Sequence, residues 1–301
     1  MIPTKSFKHS EVNSGNGKSL AVLGGKGAYS YLAAKKYFSN SNNTYLPCGS
    51  FEAVLQSVEQ GKVDYGVIPI ENTTSGGITE VYDLLLESSL SIIGEEKYNI
   101  RHCLVGLKGN KLKNITSIMA HPQASRQCSQ NLKKLASATI HLVQSTAHAL
   151  DFIVSNRQRN TAAIACEESA NLFGLEVLKR DLANQVENIT RFLVLAQESI
   201  HVPLSVPCKT SIALSTGQKA GSLAEILSNF HEANIPLSRL ESRPIPNKPW
   251  EQMFHLDLQG NISDQNVETT LSLLSKQCRF LKVLGSYPTE DIPITHVSEY
   301  C

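Results

Sequence analysis

Short apolar runs alternate with amphipathic segments through the first two thirds of the chain. The run SLAVLG at residues 19–24 is typical of a short buried strand, and a helix is predicted from Tyr29 to Phe38 after the glycine-rich turn GGKGAYS. Helical patterns also occupy residues 51–58, 81–86, 124–135 and 146–154. Further strand-like runs begin at Asp64, Leu90, His102, Ile115, Thr139, Ala162 and Arg191. Strands that alternate with helices predict an α/β layout with a largely parallel sheet.

A different pattern follows the proline-containing segment at residues 198–209, which we interpret as a linker. A strand from Thr210 is followed by a helix, two strands around the turn IPNKPW, a second helix and a last strand from Phe280. This β-α-β-β-α-β order predicts a ferredoxin-like α+β module. We therefore expect a tail at residues 1–18, an α/β body at 19–198, the module at 209–288 and a C-terminal tail at 289–301.

Composition and charge exclude several classes of protein. Apolar residues make up 41% and charged residues 18% of the 301 residues, which is typical of a globular protein with a buried core. Lys and Arg number 28 against 27 Asp and Glu, so the overall charge favours neither nucleic acid nor an anionic membrane as a partner. No apolar run approaches the roughly 18 residues of a membrane span, and the N-terminus lacks the apolar stretch of a signal peptide. The seven cysteines include no CxxC pair, so we expect reduced thiols and a cytoplasmic location.

Polar residues at the ends of predicted strands are candidates for a ligand site. The segment PIENTTSGG at residues 69–77 follows an apolar strand, and the strand ends of open α/β sheets face the ligand crevice. The same Thr and Ser residues suit the capped start of a helix, so both interpretations remain open. The segment GGKGAYS at residues 24–30 matches neither a P-loop nor a dinucleotide fingerprint. It is either an anion contact at a helix N-terminus or a structural turn.

Three further motifs carry polar groups. AHPQASRQC at residues 120–128 and STAHA at 145–149 each follow a strand and open a helix, and His121 is a general acid or a structural histidine. NITRF at residues 188–192 places a hydroxyl, a guanidinium and an aromatic ring side by side, and its Arg191 suits either a carboxylate ligand or an ion pair. The sequence contains no HExxH motif, metal-ligand cluster or GxSxG motif. These features alone predict an α/β ligand-binding body with a small accessory module.

In their order along residues 19–197, GGKGAYS, DYGVIPIENTTSGG, AHPQASRQC, STAHA, LFGLEVL and NITRFLVL resemble the motifs of prephenate dehydratases. The segments KAGSLAEIL and RLESRPIPNKPWEQMFHLDL resemble the ACT regulatory domain that accompanies the dehydratase in bifunctional chorismate mutase–prephenate dehydratases. The resemblance implies a body of two α/β lobes, similar to periplasmic binding proteins, with the active site in the cleft between them. It also implies a homodimer or homotetramer whose ACT domains pair and bind L-phenylalanine. Chorismate mutase activity is not expected, because only a short polar segment precedes the first motif.

The resemblance also implies a reaction and the residues for it. Prephenate loses CO2 and its 4-hydroxyl to give phenylpyruvate, and no metal or organic cofactor is expected. Thr190 is the implied acid, Arg191 the implied partner of a substrate carboxylate, and Phe192 packs beneath. Further residues implied to orient the substrate or line the cleft are Asn72, Gln127, Ser50, Ser75, Ser145 and Thr146. The residues implied to bind the effector are Gly221, Ser222, Leu223, Asn234, Glu241, Ser242, Arg243 and Pro244.

The chain departs from the family pattern at three positions. Ala120 stands where the family has an active-site serine, and Gly25 and Ala28 replace a proline and a hydroxyl residue in the first motif. A missing hydroxyl at Ala120 predicts a lower rate without loss of activity. The alternatives are an arogenate dehydratase, an amino-acid sensor without catalysis, and a solute-binding protein, which the lack of a signal peptide disfavours.

Overall fold

The computed structural model describes residues 17–135, 138–217, 219–245, 248 and 250–289. These residues form two compact units. The large unit contains the described residues of 17–90 and 96–197, and the small unit contains 91–95 and the described residues of 198–289. Residues 1–16 and 290–301, which make up most of the two predicted tails, lie outside the described residues.

The strands of the large unit form two mixed sheets. They are β1 (Ser19–Leu23), β2 (Thr44–Cys48), β3 (Tyr65–Asn72), β4 (Gly76–Gly77), β5 (Ser91–Asn99), β6 (Cys103–Gly106), β7 (Ser117–Ala120), β8 (Thr139–Leu142), β9 (Thr161–Ala165), β10 (Glu176–Lys179) and β11 (Ile189–Ala196). The first sheet has the order β2-β1-β3-β11-β5, with β4 paired to β3, and the second has the order β10-β6-β9-β7-β8. The first five residues of β5 belong to the small unit.

The helices of the large unit connect these strands. They are α1 (Tyr29–Tyr37), α2 (Phe51–Glu59), α3 (Thr79–Glu87), α4 (Pro122–Gln127), α5 (Ser129–Lys133), α6 (Thr146–Asn156) and α7 (Glu167–Leu172), with a 3-10 turn at Leu112–Asn114. The single helix predicted for residues 124–135 is wrong, because Cys128, with φ −108° and ψ 6°, separates two short helices there. No helix in the described part of the chain is both long and apolar enough to cross a membrane.

The prediction of a largely parallel sheet is also wrong. β1 is parallel to β2 and β3, and β7 to β8 and β9, but β11 is antiparallel to β3, and β6 to β9. The chain passes from the first sheet to the second at residues 100–102 and returns at residues 180–188. β6 and β11 thus enter their sheets at the edge where the parallel strands end, and a strand that enters there runs antiparallel to them. We call this the cleft edge, defined by the end of β3 at Asn72 and the end of β7 at Ala120.

Among the strands that the sequence patterns did not predict are β2 and β10, whose patterns are weak. β2 contains Pro47 and has mostly exposed or half-buried residues, and β10 is half-exposed. Both lie at the edge of a sheet, where one side of the strand has no neighbour and a proline is tolerated. The apolar pattern that identifies a central strand is therefore missing.

The small unit has the predicted ferredoxin-like order, which is confirmed. Its elements are β12 (Cys208–Ser215), α8 (Ser222–Glu232), β13 (Leu237–Pro244), β14 (Gln252–Gln259), α9 (Gln265–Gln277) and β15 (Phe280–Pro288). The strands form an antiparallel sheet in the order β13-β14-β12-β15. Apolar residues at helical spacing on α8 and α9 pack on one face of this sheet around Phe230, Leu256 and Leu274.

Candidate active site

A cavity of about 640 Å³ lies in the large unit between the cleft edges of the two sheets. Its walls come from the segments after β1, β2, β7 and β8, from the end of β3, from residues 100–102 and from the start of β11. This placement follows from topology, because ligands of α/β sheets bind outside the carboxyl ends of the strands. The predicted residues that line the cavity are Ser50, Asn72, Gln127, Ser145, Thr146, Thr190 and Phe192.

Ser75 lines a second, smaller cavity of about 250 Å³. This cavity shares Gln123 and Gln127 with the larger one and also contains Thr74 and Arg126. The side chain of Ser75 donates a hydrogen bond to Asn72 Oδ1 at 3.2 Å. Ser75 therefore contacts a residue of the main cavity rather than lining it.

Arg191 does not line the cavity, and its expected contact with a substrate carboxylate stays a prediction. Successive side chains of a strand face opposite sides, so Thr190 and Phe192 face the cavity and Arg191 between them does not. Arg191 Nε instead lies 2.6 Å from Glu71 Oε1 on the neighbouring strand β3. The alternation of the strand was already visible in the sequence, so the direction of this side chain was predictable. Its pairing with Glu71 depends on the register of β11.

Asn72 fixes the hydrogen bonding of Thr190. The two residues are opposite each other in the register of β3 and β11, and Asn72 Nδ2 donates to Thr190 Oγ1 at 2.9 Å. The same amide nitrogen donates to Asn188 Oδ1 at 2.6 Å and to the carbonyl of Ile189 at 3.2 Å. Because Thr190 Oγ1 accepts from Asn72, its own proton is available for a group in the cavity. Thr190 is 8% exposed, so this hydroxyl is largely shielded from solvent.

Several helix N-termini open at the cavity, among them those of α1, α2 and α6. Ser50 caps α2 by accepting from the Ala53 N–H at 3.1 Å, and Ser145 caps α6 by accepting from the His148 N–H at 3.1 Å. Ala28 holds the equivalent position of α1 and makes no side-chain cap. The missing hydroxyl at Ala28 thus leaves the first N–H groups of α1 without a side-chain acceptor, beside the cavity. Helix N-termini attract anions, so this wall suits a carboxylate.

The glycine-rich turn before α1 is both a structural turn and part of the cavity wall. Gly24 and Gly27 have φ values of +76° and +84°, and a Cβ on Gly27 would lie 2.8 Å from Phe173 Cε2. Both requirements favour glycine. Gly24 and Ala28 also line the cavity, so the structural turn is confirmed and the anion contact stays a prediction.

The imidazoles at the cavity are neutral at neutral pH. Burial lowers the pKa of His102, against a smaller opposing effect of its hydrogen bond to Gln127. Burial also lowers the pKa of His121, and the positive charge of Arg126 adds to this effect. His121 caps the short helix α4 by accepting from the Gln123 N–H at 3.3 Å. No lysine or arginine lines the cavity among the described residues, and the anion-binding groups there are N–H and hydroxyl groups.

Ala120 lies inside an apolar cluster rather than in the cavity. It is fully buried against residues such as Ile118 and Leu132, and it lines neither cavity. The effect of a missing hydroxyl at Ala120 on the rate therefore stays a prediction. A serine here would place its hydroxyl among apolar side chains.

The expected effector residues lie at or near the two ends of α8 and on β13. Gly221, with φ +86°, precedes α8, and Ser222 Oγ donates to the Lys219 carbonyl at 2.9 Å. Asn234 follows α8 at its other end. The 11 residues of α8 span about 16 Å, more than one amino acid can bridge. Leu223 packs against the apolar core of the unit, and the remaining expected residues, Glu241, Ser242, Arg243 and Pro244, lie on β13 at the edge of the sheet.

Sequence reasoning did not assign several of the residues that line the two cavities. Tyr29, His102 and Glu80 line the main cavity, and Thr74 lines the smaller one. Tyr29 and Thr74 lie inside motifs that the sequence singled out, so position in a motif was an available signal. His102 and Glu80 had none, because they come to the cavity through the passage between the sheets and through α3.

The family model described as prephenate dehydratase matches residues 20–200. The chain belongs to the prephenate dehydratase family. The bifunctional chorismate mutase/prephenate dehydratase of Escherichia coli strain K12 is 42% identical over 275 residues, which cover 91% of this chain and 71% of that protein. The arogenate dehydratase/prephenate dehydratase 6 of Arabidopsis thaliana is 36% identical over 294 residues, which cover 93% of this chain and 71% of that protein.

Solved structures with similar sequences share the fold. A prephenate dehydratase from Arthrobacter aurescens in complex with L-Phe superposes with a TM-score of 0.81 at 28% identity, covering 91% of this chain and 93% of that one. A protein described as GqqA, a novel type of quorum quenching acylase, gives a TM-score of 0.81 at 27% identity, with coverages of 91% and 98%. The prephenate dehydratase from Staphylococcus aureus gives 0.76 at 25% identity, with coverages of 89% and 99%. The predicted family and fold class, a two-lobed body with a ferredoxin-like module, are confirmed.

Proposed function

We propose that the protein converts prephenate to phenylpyruvate in L-phenylalanine biosynthesis, and that L-phenylalanine inhibits it. The observation that carries the catalytic part is the Thr190 hydroxyl, which accepts from Asn72 and faces the cavity. The family match and the 42% identity to a bifunctional enzyme support the same reaction. We expect a cytoplasmic enzyme that uses neither a metal nor an organic cofactor.

Binding the substrate means holding a dianion. The N–H groups at the start of α1, α2 and α6 and the hydroxyl of Thr146 supply donors for its carboxylates. Phe192 and Pro69 supply an apolar surface for the ring. Arg191 forms an ion pair with Glu71 and contributes by holding β11 against β3 rather than by binding substrate.

The reaction breaks two bonds and makes the ring aromatic. The ring carboxylate leaves as CO2, and its bonding electrons enter the ring. The bond to the 4-hydroxyl then breaks with its electron pair on oxygen, so a dianion becomes phenylpyruvate, CO2 and hydroxide. Thr190 donates its proton toward this departing oxygen, which leaves as water, and solvent restores the proton of Thr190. A threonine hydroxyl is a weak acid, so the effect depends on its fixed position in a largely buried site.

The catalytic proposal is tested by removing the hydroxyl of Thr190 while keeping its shape. Thr190→Val is expected to lower kcat for phenylpyruvate formation by a factor of about 10²–10⁴, because a positioned acid contributes that much. Thr190→Ser keeps the hydroxyl and should retain much of the rate. The rate measured with Thr190→Val also corrects for the spontaneous aromatisation of prephenate. A kcat of Thr190→Val within about threefold of the wild type would exclude Thr190 as the acid.

Arogenate is the alternative substrate, and one residue makes it testable. It differs from prephenate in carrying an ammonium group in place of the keto group. Glu80 is the one carboxylate among the described residues that line the cavity, and a carboxylate attracts an ammonium. The plant relative named for both activities supports testing both substrates. A larger kcat/KM for arogenate than for prephenate, lost in Glu80→Gln, would favour the alternative.

Regulation is proposed to require two copies of the chain. The expected effector residues at Gly221 and Asn234 lie at opposite ends of α8, so one small unit cannot place both on one amino acid. Pairing of two small units would bring one end of a helix near the other end of its partner's. The edge strand β13 has no neighbour on one side in the described chain and carries Leu240 with 46% exposure, which suits such a pairing. The Arthrobacter relative solved with L-Phe supports the choice of effector.

The regulatory proposal makes two measurable claims. L-Phenylalanine should lower the rate of phenylpyruvate formation and raise the melting temperature, because a ligand of the native state stabilises it by mass action. Sedimentation should show a dimer or tetramer. Gly221→Val, which strains a position at φ +86°, should weaken both effects of phenylalanine and leave the basal rate unchanged. A monomer that phenylalanine inhibits fully would refute the paired site.

A further inference from the structure

A continuous chain of hydrogen bonds runs from Tyr29 to the proposed acid. In order, it joins Tyr29 OH to His102 Nδ1 at 3.1 Å, His102 Nε2 to Gln127 Oε1 at 2.9 Å, and Gln127 Nε2 to Thr74 Oγ1 at 2.7 Å. It continues from Thr74 Oγ1 to Asn72 Oδ1 at 2.5 Å and ends at Thr190. Thr74 and His102 belong to neither the expected nor the proposed set of catalytic groups.

The backbone fixes the direction of this chain at Asn72. Asn72 Oδ1 accepts from the backbone N–H groups of Thr74 at 3.0 Å and Ser75 at 3.2 Å, which can only donate. Asn72 Nδ2 donates to the carbonyl of Ile189, which can only accept. The amide of Asn72 therefore has one orientation, and the Thr74 hydroxyl must donate to its oxygen.

The remaining directions follow one after another. A Thr74 hydroxyl that donates to Asn72 accepts from Gln127 Nε2, so Gln127 presents its oxygen to His102. His102 must then carry its proton on Nε2, and the bare Nδ1 of the neutral ring accepts from Tyr29. Every donor along the chain thus points toward Thr190.

Building on the proposed function, we infer that Tyr29, His102, Gln127 and Thr74 are positioning residues for Thr190, acting through Asn72. Hydrogen bonds arranged head to tail polarise one another, so the chain makes the Thr190 hydroxyl a better donor as well as a fixed one. The amides of Asn72 and Gln127 hold their protons, so the chain orients and does not relay a proton.

The chain of hydrogen bonds also joins the two sheets of the large unit. Thr190, Asn72 and Thr74 belong to the first sheet and its turns, whereas Gln127 follows β7 of the second sheet. His102 lies in the passage between the sheets. The complete chain therefore exists only when the two cleft edges lie as close as they do here.

The groups around the chain keep it in one protonation state at neutral pH. Burial lowers the pKa of His102, with His121 adding to the effect, so the ring is neutral. Burial raises the pKa of Tyr29, and the nearby Cys166, Tyr98, Cys128 and Cys103 raise it further, so its hydroxyl keeps the proton. Neither Tyr29 nor His102 therefore changes charge near pH 7.

Thr74 is the best residue at which to interrupt the chain of hydrogen bonds, because it lies outside the wall of the main cavity. Thr74→Val removes the hydroxyl at nearly constant volume and is expected to lower kcat on prephenate about tenfold or more, with KM within about twofold. Thr74→Ser restores the hydroxyl and should restore kcat. Thr161→Val is the matched control, because the buried Thr161 also loses one side-chain hydrogen bond to a glutamine. Its kcat should equal that of the wild type.

Nitrogen-15 spectra of the histidine rings give a readout that does not depend on activity. In the wild type, His102 is expected to be neutral with its proton on Nε2, and a proton on Nδ1 would overturn the assigned direction. A Thr74→Val enzyme with kcat within twofold of an active wild type would overturn the positioning role. A wild type that forms no phenylpyruvate would instead contradict the proposed function, and the tautomer would still test the chain.

Discussion

Glu95 and Lys209 form a buried ion pair inside the small unit. Lys209 Nζ lies 2.9 Å from both carboxylate oxygens of Glu95, and the two side chains are 4% and 3% exposed, respectively. Thr289 Oγ1 also donates to Glu95 Oε1 at 2.6 Å. Glu95→Gln keeps the shape of the side chain but turns an NH2 group toward the ammonium. Removing one charge of a buried pair leaves the other uncompensated, so we expect a loss of about 3–5 kcal/mol in the free energy of unfolding.

The assay must report on the small unit alone, because a chain with two units need not unfold in one step. Native-state hydrogen exchange, read by mass spectrometry on peptides from β12, measures the free energy of opening there. The double variant Glu95→Gln/Lys209→Met removes both charges. It is expected to be less destabilised than the sum of the two single variants, because no unpaired charge remains.

A surface ion pair of the same chain is the control. Arg180 pairs with Glu167 with side-chain exposures of 60% and 44%, and Glu167→Gln should cost less than about 1 kcal/mol. A loss below about 1 kcal/mol in Glu95→Gln, or a double variant whose loss is the sum of the single ones, would refute the assignment of a desolvated ion pair.

Three further predictions concern the large unit. Ala120→Ser should lower the free energy of unfolding by about 1–3 kcal/mol without raising kcat, because its hydroxyl would enter an apolar cluster; a faster enzyme would contradict this. Arg191→Met should lower the free energy of unfolding in urea by roughly 1–3 kcal/mol, because Glu71 loses its partner. The KM for prephenate should stay within about threefold of the wild-type value, and a KM raised more than tenfold would show that Arg191 binds the substrate. The pKa values of His102 and His121 are lowered on folding, so the unfolded chain binds more protons and stability falls as the pH drops below about 6.5. Unfolding measured against pH should show a shallower acid loss in His102→Asn than in the wild type.

Much of the fold follows from local patterns in the sequence. The spacing of Leu223, Ile226 and Phe230 defines α8, and the β-α-β-β-α-β order of the small unit follows from such elements alone. The serines at positions 50 and 145 cap helices, as their place before amphipathic segments predicts. Short-range hydrogen bonds and periodic burial determine these features, so neighbouring residues suffice to reveal them.

The candidate site was predictable as a set of motifs but not as a geometry. Thr190 and Asn72 are 118 positions apart, and only the antiparallel register of β11 on β3 places them opposite each other. The prediction of a largely parallel sheet did not reveal this direction, because it depends on where the chain returns from the second sheet. The family motif also suggested a polar role for the position of Ala120, which tertiary packing places in an apolar core.

The sequence by itself therefore determined most of the elements, their order, the family and the polar residues at the strand ends. Only the tertiary structure decided that Arg191 pairs with Glu71 and that six side chains from Tyr29 to Thr190 join in one direction. The physical reason is the range of the interactions. Helices and strands are set by contacts over a few residues, whereas strand register and the meeting of two sheets depend on contacts between residues far apart in the chain.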